Sequence, residues 1–378
     1  MKTNVIYFVT HDSGRYFGCY GRPVVSPNID RFAASGIRFA QSYCSSPACA
    51  PSRCCAMTGL YANRHGCMSV MRGGWDLPPE QLTIVDYFNE AGYETFHSGF
   101  CHEREYGKMR YEHDGTPGRE RLWKDRSDLV VDNAIRFLRE ERDPERPFYM
   151  NLATLETHAA SINLYHEHHG GPMPPEQSHV PPTLPDDDFT RYWWQCHAAS
   201  VKFVDTHFGR LLDAVEELGL SDDTLIVFTT DHGVWQNRAK AFVTAEGTEI
   251  SLLMRPPGRL GLPAGRVRGE LIPNIDYMPT ILDACGVSIP EGIDGRSFWP
   301  LITGEAYAPH DHIVIERNFH GEKPTEGQKN HDDFYDPMRC VRTSEFAYVR
   351  YCEPSIRARE LYHWEIEGWT RDPGKVVG

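Results

Sequence analysis

The chain of 378 residues has no uninterrupted apolar run of the roughly 20 residues that a membrane-spanning helix needs. Its opening, MKTNVIYFVTHDSG, passes straight into a short apolar segment that stops at His11-Asp12, without the long apolar core or small-residue cleavage site of a secretory leader. Positive charge is scarce too: 39 Lys and Arg face 53 Asp and Glu, a formal net charge of -14. That gives no support for a nucleic-acid surface, because phosphate binding needs clustered cations, and leaves room for a local cationic pocket. No internal repeat is visible. Cysteines are present but their pairing is not: the 11 are an odd number, scattered from Cys19 to Cys352 without zinc-finger spacing, and adjacent Cys54 and Cys55 suit a disulfide poorly. These absences predict a soluble chain with no membrane or nucleic-acid partner and mostly free thiols, as in a reducing cytoplasm. A periplasmic or secreted location would require a leader removed from the sequence as printed. Oligomeric state leaves no trace.

What is present is enough apolar residue, 40% of the chain, for one large α/β core with a smaller appendage. NVIYFVT (4–10) has a buried-strand pattern, and SPNIDRFAASG follows with Ser26 as N-cap, Pro27 in the first turn and Gly36 as stop. The alternation recurs in GIRFAQSY, then a helix over about 52–58. TIVDYFNEAG and YETFHSG, SDLVVDNAIRFLREE and PFYMNLATLE, and a long helix near 187–219 before TLIVFTTDHG continue it. Strands alternating with helices predict an α/β fold with a mostly parallel central sheet flanked by helices on both faces. The charged 103–125 and the His-, Pro- and Gly-rich 165–186 read as loops, the second as a solvated lid rather than a metal tract. After DGRSFWPLITGE the segments IVIER, RCVRT and FAYVRYC predict a small antiparallel β subdomain. The expected division is 1–305 and 306–378.

In such sheets ligands gather at the carboxyl ends of strands. His11-Asp12, Cys49, Thr157-His158 and Asp231-His232 each follow a predicted strand's last apolar residue. Asp12 with Asp231-His232 supplies the carboxylate and imidazole ligands of a divalent-metal site. Cys49 opens CAPSRCCAMTG. A helix beginning near Pro51, with Arg53 in its first turn, would make an anion pocket with a reactive thiol at its floor. A buried free cysteine fits the spacing equally well.

The run Cys49-Ala50-Pro51-Ser52-Arg53, continuing to Met57-Thr58-Gly59, resembles the C-x-P-S-R…T-G signature of the type I sulfatases in the alkaline phosphatase superfamily. The likeness continues in order through VIYFVTHDSGRYFGCYG, SPNIDRFAASGIRF, GYETFHSGFCHE, LATLETHAAS, FTTDHG with Arg238-Ala239-Lys240, IDYMPTILDACG and DGRSFWPLI. It implies an alkaline phosphatase-like fold. It also implies a formylglycine made from Cys49 by an installing enzyme, whose hydrated aldehyde attacks sulfur and later eliminates sulfate. By position, Asp12, Asp231 and His232 would bind the metal with modified Cys49. His11 stands where many members carry an aspartate, which leaves Ca2+, the family's usual ion, and Mn2+ or Zn2+ open. Arg53 would hold the nucleophile, His102 would act as base in regenerating the aldehyde, and His158 and Lys240 would grip sulfate and assist the leaving group. Phe100 occupies the place of a family lysine, so the pocket is one cation short unless His97 replaces it.

Near the C-terminus, Tyr335-Asp336-Pro337-Met338-Arg339 resembles a segment of the heparan N-sulfatases and their bacterial relatives. This implies a sulfated glycan or amino sugar as substrate, with Arg339 and His320 as candidate substrate-binding residues. Two other readings are a phosphonate monoester or phosphodiester hydrolase of the same superfamily, suggested by the Asp-His form of the second metal turn, and a non-catalytic glycan-binding relative.

Overall fold

Every residue of the first strand, Asn4–Thr10, is buried, as are those of Phe148–Ala153 and Thr224–Thr230, so these runs lie where a sheet is covered on both faces. They are β1, β5 and β6, in a computed structural model that describes residues 2–69, 75–105, 108–116, 125–159, 161–162, 166–236, 238–319 and 335–352. The sheet also contains β2 (Ile37–Tyr43), β3 (Glu94–Gly99), β4 (His113–Asp114), β7 (Glu249–Ile250), β8 (Leu252–Arg255) and β9 (Arg266–Pro273). The order is β4-β3-β5-β1-β6-β8-β2-β7, with β9 also paired to β2. From β4 through β6 every pairing is parallel, and β9 is parallel to β2. The other side is antiparallel: β8 runs against both β6 and β2, and β7 against β2.

Side chains alternate across β1 and feed two apolar layers. Val5, Tyr7 and Val9 pack with residues of α4 (Ile84–Glu90), α8 (Tyr277–Ala284) and α9 (Trp299–Thr303). Ile6 and Phe8 pack with α1 (Pro27–Ser35), α5 (Ser127–Arg136) and the long α6 (Asp188–Glu217). Shorter helices are α2 (Cys49–Thr58), α3 (Ala62–His65) and α7 (Ala245–Thr248). α2 begins earlier than the expected residue 52. Ala48 is its extended N-cap, so Cys49 sits in the first turn and Pro51 still occupies a position whose N–H would have no helical partner. Gly59, at φ 66°, ends it in the left-handed conformation that glycine adopts without strain.

A second sheet of β10 (Ile313–Phe319), β11 (Tyr335–Arg342) and β12 (Ala347–Tyr351) is antiparallel throughout. Ile313, Ile315, Met338 and Cys340 pack with Tyr43 and Leu271 of the large sheet. The segment after residue 165 is largely exposed, as expected, but is anchored: His169 is buried with Nε2 3.2 Å from Glu156 Oε1, and Val180 and Leu184 pack against the cluster of Tyr16, Trp193 and Trp194. Apolar anchors hidden among its prolines hold it down. All 11 cysteines are free thiols.

Candidate active site

β1 and β6 pair in register from Asn4↔Thr224 to Thr10↔Thr230, so His11-Asp12 and Asp231-His232 leave the sheet side by side. The Asp12 N–H donates to Asp231 Oδ1 (3.0 Å) from a backbone at φ 51°, a left-handed conformation that aspartate tolerates better than most residues. β5 continues the layer beyond its end, where the His11 N–H donates to the Glu156 carbonyl (2.9 Å), and this places His158 against His11, ring centroids 4.6 Å apart. α2 is tied to the same edge: Ser52 Oγ donates to the Asp231 carbonyl, and Asn274 Nδ2 donates to the Ser52 carbonyl and hydroxyl, both at 2.9 Å.

The result is one buried cluster in which His11, Asp12, Cys49, Asp231 and His232 each offer a ligand atom, all within 4.8 Å of one another. His11 Nδ1 is 2.7 Å from Asp12 Oδ1 and 3.3 Å from Asp231 Oδ2. His232 Nδ1 lies 2.8 Å from the Gly233 carbonyl, which assigns the proton there and leaves Nε2 toward Asp12 Oδ1 (3.0 Å) and Cys49 Sγ (3.4 Å). Two carboxylates, two imidazoles and one convertible thiol at this spacing fit a single divalent ion.

Cations surround the cluster. Lys240 Nζ donates to both Asp12 oxygens (3.2 and 2.9 Å). Arg53 Nε donates to Asp231 Oδ2 (3.2 Å), and its other nitrogens reach the Phe100 and Thr10 carbonyls at 3.3 and 3.5 Å. Burial opposes ionisation of Cys49, but Lys240, His11, His232 and a hydrogen bond with His102 outweigh it and hold the thiol well below its ordinary range. Asp12 is likewise held well below the usual carboxylate range, by Lys240, His11 and His232 against burial. Burial together with Lys240 pulls the His158 imidazole down to about 3, and burial lowers His102 as well. The pocket floor is therefore a site for an anion held by fixed charge, with neutral imidazoles as donors at its wall.

A family profile described as Sulfatase matches residues 3–287, and one described as N-sulphoglucosamine sulphohydrolase, C-terminal, matches residues 230–375. The chain belongs to the sulfatase family. Among its relatives, the N-acetylglucosamine-6-O-sulfatase of Bacteroides thetaiotaomicron is 25% identical over 99% of this chain and 82% of its own length. An ulvan-active sulfatase of Formosa agariphila is 24% identical over 92% of this chain and 66% of its own. The fold matches a protein solved in complex with its substrate D-glucosamine-2-N,6-O-disulfate at a TM-score of 0.73, with 20% identity and coverage of 94% of this chain and 90% of that one. It also matches the phosphonate monoester hydrolase of Agrobacterium radiobacter at 0.75, with 17% identity, 93% of this chain and 87% of that one.

Of the residues expected in this sulfatase's site, Cys49, Arg53, His102, His158, Lys240, Asp12, Asp231, His232 and His11 are brought together. Phe100, in the lysine's place, packs on His102 and His11 (ring centroids 4.1 and 4.8 Å). His97 turns toward Tyr111 (ring centroids 5.0 Å apart) and the Gly99 carbonyl, 3.1 Å from Nε2, so it does not stand in for that lysine. His320 lies outside the described residues. Arg339 is engaged within the small sheet, donating to the Arg317 and Met338 carbonyls (3.0 and 2.9 Å) and to Asn318 Oδ1 (2.8 Å). Sequence reasoning missed Asn274, whose Oδ1 accepts from the Ser45 N–H (2.8 Å) while its amide holds Ser52. It directly follows β9, which pairs with β2 up to Tyr43↔Pro273, so the strand-end rule that found the other residues also covers it.

Proposed function

We propose that the protein hydrolyses a sulfate ester or N-sulfate of a glycan, of the N-sulfoglucosamine or heparan kind, using a formylglycine made from Cys49 and one divalent metal. The observation that carries this reading is the place of Cys49: in the first turn of α2, 3.4 Å from His232 Nε2, inside a five-residue ligand cluster. The Cys49 sulfur stands where the oxygens of the hydrated aldehyde would be. Asp12, Asp231, His232 and His11 would hold the metal, which when bound supplies Lewis-acid stabilisation of charge on oxygen. Arg53, anchored on Asp231, fixes the nucleophile's side of the pocket. Lys240 neutralises charge that builds on the sulfate, and His158 donates a hydrogen bond toward the leaving group. His102, hydrogen-bonded to Cys49 and kept neutral by burial, is placed to take a proton when the aldehyde is regenerated. The two imidazoles favour Mn2+ or Zn2+ over Ca2+, which prefers an all-oxygen shell.

The test is mass spectrometry of the Cys49 peptide from protein made in its native host, followed by sulfate release from sulfated glucosamines. A mass about 18 Da below the thiol peptide, with turnover lowered by orders of magnitude in Cys49→Ala, is expected. An unmodified thiol in a protein that still releases sulfate would sink the assigned nucleophile. A second reading, phosphonate monoester hydrolysis, is favoured by the Asp231-His232 pair and the absent lysine at Phe100. Faster turnover of a phosphonate monoester than of any sulfate would establish it instead.

A further inference from the structure

We infer that His197, on α6 and outside the ligand cluster, is a positioning residue of this active site: through the Thr157 hydroxyl it holds the turn that presents His11 and Asp12; this rests on the sulfatase reading above. The turn needs holding. Asp12 sits at φ 51°, a left-handed conformation unfavourable to residues with a side chain, while its carboxylate has to stay within the cluster of Asp231 and His232. Beyond β5, Thr157 reaches across to this turn. Its N–H donates to the His11 carbonyl (2.6 Å), and its hydroxyl lies 3.2 Å from the same carbonyl and 3.4 Å from that of Asp12. The Ser13 hydroxyl, 3.3 Å from Thr157 Oγ1, also donates to the His11 carbonyl (3.2 Å). All four residues are buried, so these bonds do not compete with water.

Behind Thr157 stands His197, its Nε2 3.3 Å from the threonine oxygen. Carbonyls only accept, so Thr157 gives its one proton to that pair, and the group behind it has to donate. This assigns a proton to His197 Nε2. The ring is held in place: it stacks on Trp193 (centroids 5.4 Å apart, 27° between planes) and packs against Trp194 and Tyr16 at 4.8 and 5.7 Å. Burial pulls the imidazole down to about 3, so it is neutral and has a single proton to give.

Nδ1 separates a positioning role from plain core packing. It is buried without a hydrogen-bond partner among the described residues, as befits the nitrogen that carries no proton. An orphaned acceptor is costly, and a phenyl ring in this aromatic surrounding would pack without that cost. What a phenyl lacks is the donor at Nε2 that serves Thr157. Thr157 also precedes His158, whose ring lies 4.6 Å from that of His11. One hydroxyl, oriented from α6, thus braces the metal side and the leaving-group side of the pocket together. It fixes the carbonyls behind the ligands, so its loss loosens the ligand set without removing a member.

The experiment titrates Mn2+, Zn2+ and Ca2+ into chelator-treated wild type, His197→Phe, His197→Gln and Thr157→Val, and measures sulfate release from a sulfated glucosamine by the metal-loaded, formylglycine-containing forms. The phenyl ring keeps the packing without the donor, and the glutamine amide returns an N–H near the place of Nε2. His197→Phe and Thr157→Val should each weaken binding of the tightest ion about tenfold and lower kcat about tenfold, with KM nearly unchanged, and His197→Gln should recover most of both. The double variant should lose no more than either single one, because both break the same chain of hydrogen bonds. Wild-type metal affinity in folded His197→Phe would overturn the role, as would equal losses in His197→Phe and His197→Gln with a lowered Tm, the mark of a purely structural histidine. If His197→Phe does not fold, Thr157→Val decides from the hydroxyl side, and unchanged metal binding there overturns the role too. A wild type that binds none of the three ions would do the same. The titration needs no turnover: a wild type that releases no sulfate, yet binds its ion about tenfold more tightly than His197→Phe, would refute the proposed hydrolysis and leave the role of His197 standing.

Discussion

Phe100 lies beneath the Arg53 guanidinium, 5.6 Å from carbon to ring centroid, and is 4% exposed. A lysine there, as family members carry, would add a second buried cation beside Arg53 and His11 with no new carboxylate among the groups it meets. Phe100→Lys should therefore destabilise the free protein by about 3 kcal/mol, the scale of an uncompensated buried charge. Added sulfate, which would pair with that cation, should restore part of the loss. Thermal denaturation with and without sulfate checks both halves, and an unchanged Tm in sulfate-free buffer would contradict the account. His65 gives a pH-dependent prediction. It is held by the Cys67 N–H at Nδ1 (3.1 Å), with Cys55 Sγ 3.5 Å from Nε2, and burial pulls its imidazole down to about 3. The unfolded value is about 6.5, so between the two the unfolded chain takes the extra proton. Its stabilising contribution is complete above about pH 6.5 and is lost as pH falls, by up to roughly 1.4 kcal/mol per pH unit. Urea denaturation from pH 7.5 to 5 should show a shallower slope for His65→Gln than for wild type, although the variant is weaker at pH 7.5.

At the scale of elements, the site depends on turns that follow strands. Gly233, after β6, donates its N–H to the Gly247 carbonyl, and a Cβ on it would overlap the Glu246 carbonyl oxygen. Gly233→Ala should thus push the Asp231-His232 turn off α7, costing more than about 2 kcal/mol and weakening metal binding with it. Denaturation and metal titration of the same variant should fail together, and normal metal affinity in a destabilised protein would show that the turn and the ligands are independent. The same strand-end logic sets what was legible in the sequence. β1, β5 and β6 announce themselves as continuous apolar runs, so the residues just beyond them could be assigned to one edge. β7 and β8 are too short to show periodicity, and with them the antiparallel half of the sheet stays hidden. The Arg317–Asp336 pair was invisible because a bulge in the β10–β11 pairing, not a spacing, joins two strands separated by a long insertion. Arg339, which resemblance singled out, donates to the Arg317 and Met338 carbonyls and to Asn318 Oδ1 within the small sheet.

Over the whole molecule, the ligand cluster joins distant parts of the catalytic region: His11 and Asp12 just beyond β1, Cys49 from α2, Asp231 and His232 just beyond β6. These residues meet only in the folded chain, so an ion bound there stabilises the native state against unfolding of the large sheet as a unit. At a hundredfold excess over Kd the gain is about 2.7 kcal/mol, a readily measured rise in Tm. Chelator-treated protein should therefore melt lower than protein given Mn2+ or Zn2+, and Ca2+ should raise Tm less, because two of the donors are imidazoles. His11→Asp trades one of these nitrogens for the carboxylate more usual in the family. It should move the preference toward Ca2+ while leaving β1–β6 pairing intact, since the His11 side chain projects beyond the last paired residue, Thr10. The readout is the order of Tm shifts among the three ions in wild type and variant, independent of turnover or of the state of Cys49. If Ca2+ gives the largest shift in both, His11 is not a ligand, and its imidazole only balances the charge of Asp12 and Asp231, 2.7 and 3.3 Å away.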